Sequence, residues 1–119
     1  MRTVYLDKYD WEVTICDDVA PNSVRKLIPM LKDMGMSCCE IDKIIVLFDR
    51  PNRGFIYTDK ENRCSLIAIG WCITWKQELN TLAHEIFHLA EHICIGCDLS
   101  TDGEPPAYVV SDLVDKLCD

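Results

Sequence analysis

Thr74-Trp75-Lys76-Gln77 opens a stretch that runs to Gly96 and has His84-Glu85-Ile86-Phe87-His88 at its centre. Thr74 and Gln77 match the capping box S/T-x-x-E/Q, in which each side chain satisfies a backbone N–H at a helix start. Leu79, Leu82, Ile86, Leu89 and Ile93 then recur at three- and four-residue spacing, which places one apolar stripe along a helix. Gly96 is a good helix terminator. The stretch predicts a long amphipathic helix, and the rest of the chain must supply the surface that buries its stripe.

Working outward, a loop from Cys97 to Gly103 leads to a last helix, with Pro105 or Pro106 in its first turn and Tyr108, Leu113, Val114 and Leu117 as its apolar positions. Upstream, Phe55-Ile56-Tyr57 and Cys64 to Ile69 read as a hairpin across Thr58 to Arg63. The continuous apolar run Ile44-Ile45-Val46-Leu47-Phe48 reads as a buried central strand. Pro21 to Met34 carries Val24, Leu27, Ile28 and Leu31 at helical spacing, with Asn22 or Ser23 as cap, Gly35 after its end and Pro29 as either a kink or the mark of a shorter helix. Val4 to Leu6 and Trp11 to Ile15 are two short strands around a polar turn. The order ββαβββαα predicts an α+β fold, a small mixed sheet packed against the central helix and a C-terminal helix.

The chain has 119 residues, about half of them hydrophobic, which suits one domain over residues 1–119 with its own core. Its 12 basic and 20 acidic side chains leave a formal net charge of −8. Without a Lys/Arg cluster this balance disfavours nucleic acid, whose binding needs phosphate neutralisation, and acidic membrane surfaces likewise. The N-terminal residues lack the apolar run of a signal peptide, and no stretch of about 20 apolar residues is present to span a bilayer. A cytoplasmic location is expected. Eight cysteines would suit a disulfide framework, but with no leader and an apolar core most read as small buried hydrophobes in a reducing compartment. Cys94-x-x-Cys97 reads as packing more than as a redox pair. Asp112, Asp115 and Asp119 read as a solvated face.

His84 and His88, at i and i+4, project from one face of the predicted helix, close enough for both imidazoles to reach one zinc ion. Glu85 adjoins the first histidine and can act as general base on a zinc-activated water. A catalytic zinc needs a third protein ligand and an open position. His92 lies eight residues from His84, about 12 Å along the axis, too far to share the ion. Among the residues that follow, Glu104 ranks first, Asp98 second and Asp102 third, and Cys97 could also reach from the loop. Glu104 must be carried back toward the histidines by the preceding loop. Otherwise it is a first-turn carboxylate favoured by the helix dipole. A metzincin pattern is excluded, because its Gly and His positions hold Glu91 and Cys94.

The segment Thr81 to His92, followed by Gly103-Glu104-Pro105-Pro106-Ala107-Tyr108, resembles the small zincin-like metallopeptidases of phages and mobile elements and is similar to the ImmA/IrrE-type intracellular proteases. The likeness covers roughly residues 81–113. It implies a minimal zincin-like fold, a zinc ion held by His84, His88 and Glu104, and Glu85 as base. Larger gluzincins place Asp four residues after the third ligand, and here that position is Tyr108. Either Asp112 orients a histidine instead, or Tyr108 donates a hydrogen bond to the oxyanion of a tetrahedral intermediate. Tyr108 reads equally as a core tyrosine.

The implied activity is zinc-dependent hydrolysis of a peptide bond in a protein or peptide substrate, and Cys64 to Ile69 is expected either as the edge strand on which it pairs or, equally, as a buried strand with no substrate role. The rival expectation is a catalytically inactive zincin-like binding or regulatory protein of a phage or mobile element. In that case the acidic surface would meet a basic partner.

Overall fold

The computed structural model describes residues 1–118 and places Asp119 outside the described residues. Strands β1 (Arg2–Leu6) and β2 (Trp11–Val19) are followed by a 3-10 turn (Val24–Leu27), α1 (Ile28–Asp33) and α2 (Cys38–Leu47). Strands β3 (Gly54–Asp59) and β4 (Cys64–Gly70) lead to α3 (Trp75–Gly96) and α4 (Glu104–Leu117). The strands form one mixed sheet in the order β1-β2-β4-β3. β1 and β2 pair antiparallel, as do β3 and β4, whereas β2 and β4 run parallel. The domain is therefore α+β, with four strands and four helices.

Both faces of the sheet are covered. Trp11, Val13, Ile67 and Ile69 pack against Ile86, Leu89 and Ile93 of α3 and Val109 and Leu113 of α4. On the other face Cys16, Leu66 and Ala68 meet Val24, Leu27, Leu31, Ile41 and Phe48. This second layer is built from residues 24–48.

Ile44 to Phe48 is helical and not a strand. The signal for that is Ser37, whose side chain accepts from the Glu40 N–H while Glu40 reaches back to the Ser37 N–H, a second capping box at α2. Winding spreads the apolar run around an axis, so Ile41 and Phe48 are buried while Val46 stays 66% exposed. The Pro21 to Met34 segment is a 3-10 turn and one short helix, with Pro29 in the first turn of α1, where its missing N–H costs nothing.

Cys64 to Ile69 is an interior strand, paired with β2 on one side and β3 on the other, and not the sheet edge. Its neighbour β3 is the edge beside α3. The uninterrupted burial of Ser65 to Gly70 fits that central place.

α3 begins at the Thr74 capping box and keeps Gly96 inside it; the left-handed residue that follows is Asp98, at φ 57. Gly96 is needed for another reason: a Cβ there would lie 2.6 Å from Cη2 of Trp11. Asp112 does not belong to a solvated face, since its Oδ2 is buried without a hydrogen-bond partner, whereas Asp115 is exposed. Only Cys16 and Cys94 are fully buried, and Cys38, Cys39 and Cys118 are exposed, which corrects the reading of the thiols as mostly core. Among the described residues no helix is long and apolar enough to cross a membrane.

Candidate metal centre

At 100° per residue, α3 turns Leu79, Leu82, Ala83 and Ile86 toward α4 and carries His84 and His88 on the flank nearer β3. The imidazole Nε2 atoms of His84 and His88 stand 3.2 Å apart. Two nitrogens bound to one tetrahedral zinc at about 2.0–2.1 Å would lie about 3.3–3.4 Å apart, so the pair already has nearly the spacing of ligands. His88 Nδ1 faces Glu91 Oε1 at 3.3 Å. In the tautomer that carries its proton on Nδ1, beside that carboxylate, His88 presents a lone pair on Nε2 toward His84. In the metal-free protein the His84 Nε2–H can donate to that lone pair.

Glu85, next to His84 on the helix, is only 6% exposed. Burial pushes its carboxyl above the usual range, and the charges of His84 and His88 partly oppose the rise. The close approach of β3 depends on Gly54, where a Cβ would fall 2.6 Å from Thr81 Cγ2 and 3.3 Å from Glu85 Cγ. His84 and Glu85 open into a cleft of about 350 Å³ that they share with Thr81, Asn52, Arg53 and Gly54. Arg53 forms no ion pair among the described residues, and its place in the cleft has no sequence signature. It belongs to a turn more than 30 residues upstream that only the sheet brings here.

The remaining sequence candidates are placed elsewhere. Val110, Val114 and Leu117 lie against the first half of α3, so α4 runs antiparallel and leaves Glu104 at the level of the α3 C-terminus. Tyr108 is 54% exposed and lies beside Lys8, whose Nζ is 5.2 Å from the ring centroid. Lys8 sits in the β1–β2 turn, at the end of the sheet opposite Gly54. Asp98 follows the last turn of α3, and Asp102 is in the loop before α4. Thus His84, Glu85 and His88 are brought together, while Glu104, Tyr108, Asp98 and Asp102 are not brought to them. Among the described residues no group of three or more His, Cys, Asp or Glu side chains is gathered closely enough to hold one ion.

His92 keeps apart from the pair, as its spacing requires. Its Nδ1 is 2.8 Å from Thr58 Oγ1, which is 2.8 Å from Ser65 Oγ, and Ser65 accepts from Trp11 Nε1 at 3.0 Å. Trp11 can only donate, so the buried Ser65 hydroxyl is satisfied when it donates to Thr58 and Thr58 donates to His92 Nδ1. The imidazole is held neutral, and burial also pushes its pKa down. Set against protein families, curated proteins and solved structures, the chain matches none of them.

Proposed function

We propose that the chain is a minimal zincin-like peptidase that hydrolyses a peptide bond in an extended protein or peptide substrate. The observation that carries this reading is the 3.2 Å Nε2–Nε2 spacing of His84 and His88, with the buried Glu85 next to His84 in the chain. Zinc bound by the two histidines would supply a polarised water and a Lewis-acidic centre. Glu85 is the base that takes the proton of the attacking water and returns it to the leaving amine. Arg53 is the cation of the cleft that faces negative charge developing on the carbonyl oxygen. The edge strand β3 offers its free backbone groups to the substrate.

A second reading is favoured by the position of α4. With Glu104 and Tyr108 away from the histidines, the chain is instead a catalytically inactive zincin-like binding or regulatory protein, of the kind carried by phages or mobile elements. Because the second reading holds zinc structurally or not at all, elemental mass spectrometry of the purified protein, beside His88→Ala, tests the metal, and loss of proteolysis in Glu85→Gln with zinc retained separates the two. One equivalent of zinc in the wild type and none in the variant supports the peptidase. No zinc in either, after zinc is added back, overturns it. In that event a stoichiometric, uncleaved protein partner is the expected finding.

A further inference from the structure

The last turn of α3 holds a second cluster that the proposed chemistry does not use. Arg63 Nη2 points a hydrogen at Cys97 Sγ, 3.1 Å away. The guanidinium is fixed by its Nε to the Asp10 carbonyl at 3.1 Å, by Nη2 to the Tyr9 carbonyl, and by stacking 5.3 Å from the Trp11 ring centre. It forms no ion pair among the described residues. The same Nη2 serves both the Tyr9 carbonyl and the sulfur, whose own S–H is turned toward that carbonyl at 3.9 Å. Lys8, Tyr9 and Asp98 share the open recess of about 480 Å³ in front of Cys97, wide enough for a small oxidant. The recess thus sets two cations, Arg63 and Lys8, and one carboxylate, Asp98, around the Cys97 sulfur.

One turn earlier, Cys94 is fully buried. Residues at i and i+3 on a helix have Cβ atoms about 5–6 Å apart, against about 4 Å in a disulfide. Closing the bond takes a tightening of about 1–2 Å, at a terminus where Cys97 has already left helical geometry.

We propose that Cys94 and Cys97 form a peroxide-responsive dithiol, with Cys97 as the nucleophile and Cys94 as the resolving thiol. The Cys97 thiolate attacks one oxygen of hydrogen peroxide, an S–O bond forms, the O–O bond breaks, and hydroxide leaves to take up a proton as water. The sulfur loses two electrons and becomes a sulfenic acid. The Cys94 sulfur then gives up its proton and displaces that oxygen as a second water, which closes the disulfide. Burial pushes the Cys94 thiol up and keeps it unreactive until Cys97 is oxidised beside it.

The test treats the full chain with hydrogen peroxide, blocks the remaining thiols and maps tryptic peptides. Peptide 77–116 contains only these two cysteines. It is expected to lose two hydrogen masses before the exposed Cys118 is oxidised. Arg63→Gln, shown by circular dichroism to remain folded, is expected to slow closure by about threefold to tenfold. Cys94→Ser is expected to trap a sulfenic acid on Cys97, seen as a dimedone adduct. The proposal is overturned if peptide 77–116 stays reduced while Cys118 oxidises, or if folded Arg63→Gln closes at the wild-type rate. Neither result depends on zinc.

Discussion

The Glu91 carboxylate stands 3.3 Å from Nδ1 of His88, on the same helix and three residues further on. A carboxylate in that place selects the His88 tautomer and makes its Nε2 a better donor to a metal. Glu91→Gln is expected to weaken zinc binding about 10-fold to 100-fold, measured by competition with a chromophoric chelator. Unchanged affinity would remove Glu91 from the site.

Glu85 is buried beside His84 and, on the proposed reading, acts as the base without binding the metal. Glu85→Gln is expected to keep its zinc and lose at least about 100-fold in cleavage of a casein-type substrate. Should the variant cleave as fast as wild type, the mechanism fails even with zinc in place.

Gly96 faces the Trp11 indole, a rigid ring that cannot yield as a flexible chain end would. Alanine ordinarily gains about 1 kcal/mol over glycine in a helix. Here the clash costs about 1–3 kcal/mol, so Gly96→Ala is expected to be neutral to destabilising instead of stabilising. Urea denaturation decides the sign, and a gain near 1 kcal/mol would contradict the packing.

Tyr9 is 6% exposed, and burial first, then the Asp112 carboxylate, push its hydroxyl from 10.0 up to about 12. Between those values the unfolded chain has released the proton and the folded chain still holds it. The contribution is complete below pH 10 and is lost as pH rises toward 12, on the order of 2 kcal/mol. Tyr9→Phe lacks this loss. The stability difference between wild type and variant should shrink across that window in urea titrations, and a constant difference would rule out the shift.

The central helix was legible in the sequence except at its end, because the Thr74–Gln77 box and a five-residue apolar stripe are local signals that need no partner, whereas Gly96 stays inside the helix. The pairing of His84 with His88 follows equally from helical geometry. Ser37 and Glu40 carried the same kind of local signal for α2, but five consecutive apolar residues after them also suit a strand, and periodicity alone does not separate the two.

Tertiary structure decided what depends on distant partners. Whether Cys64 to Gly70 lies inside or at the edge rests on β2 choosing it across more than 40 residues, and backbone hydrogen bonding leaves no mark on either segment. The flank of α3 that α4 covers was set by Val109 and Leu113 entering the core, which carried Glu104 and Tyr108 away from the histidines. Arg53 came to line the same cleft as Glu85 because Gly54 lets β3 press against Thr81. Local chemistry wrote the helix and its histidine pair; packing between remote segments chose the groups that surround them.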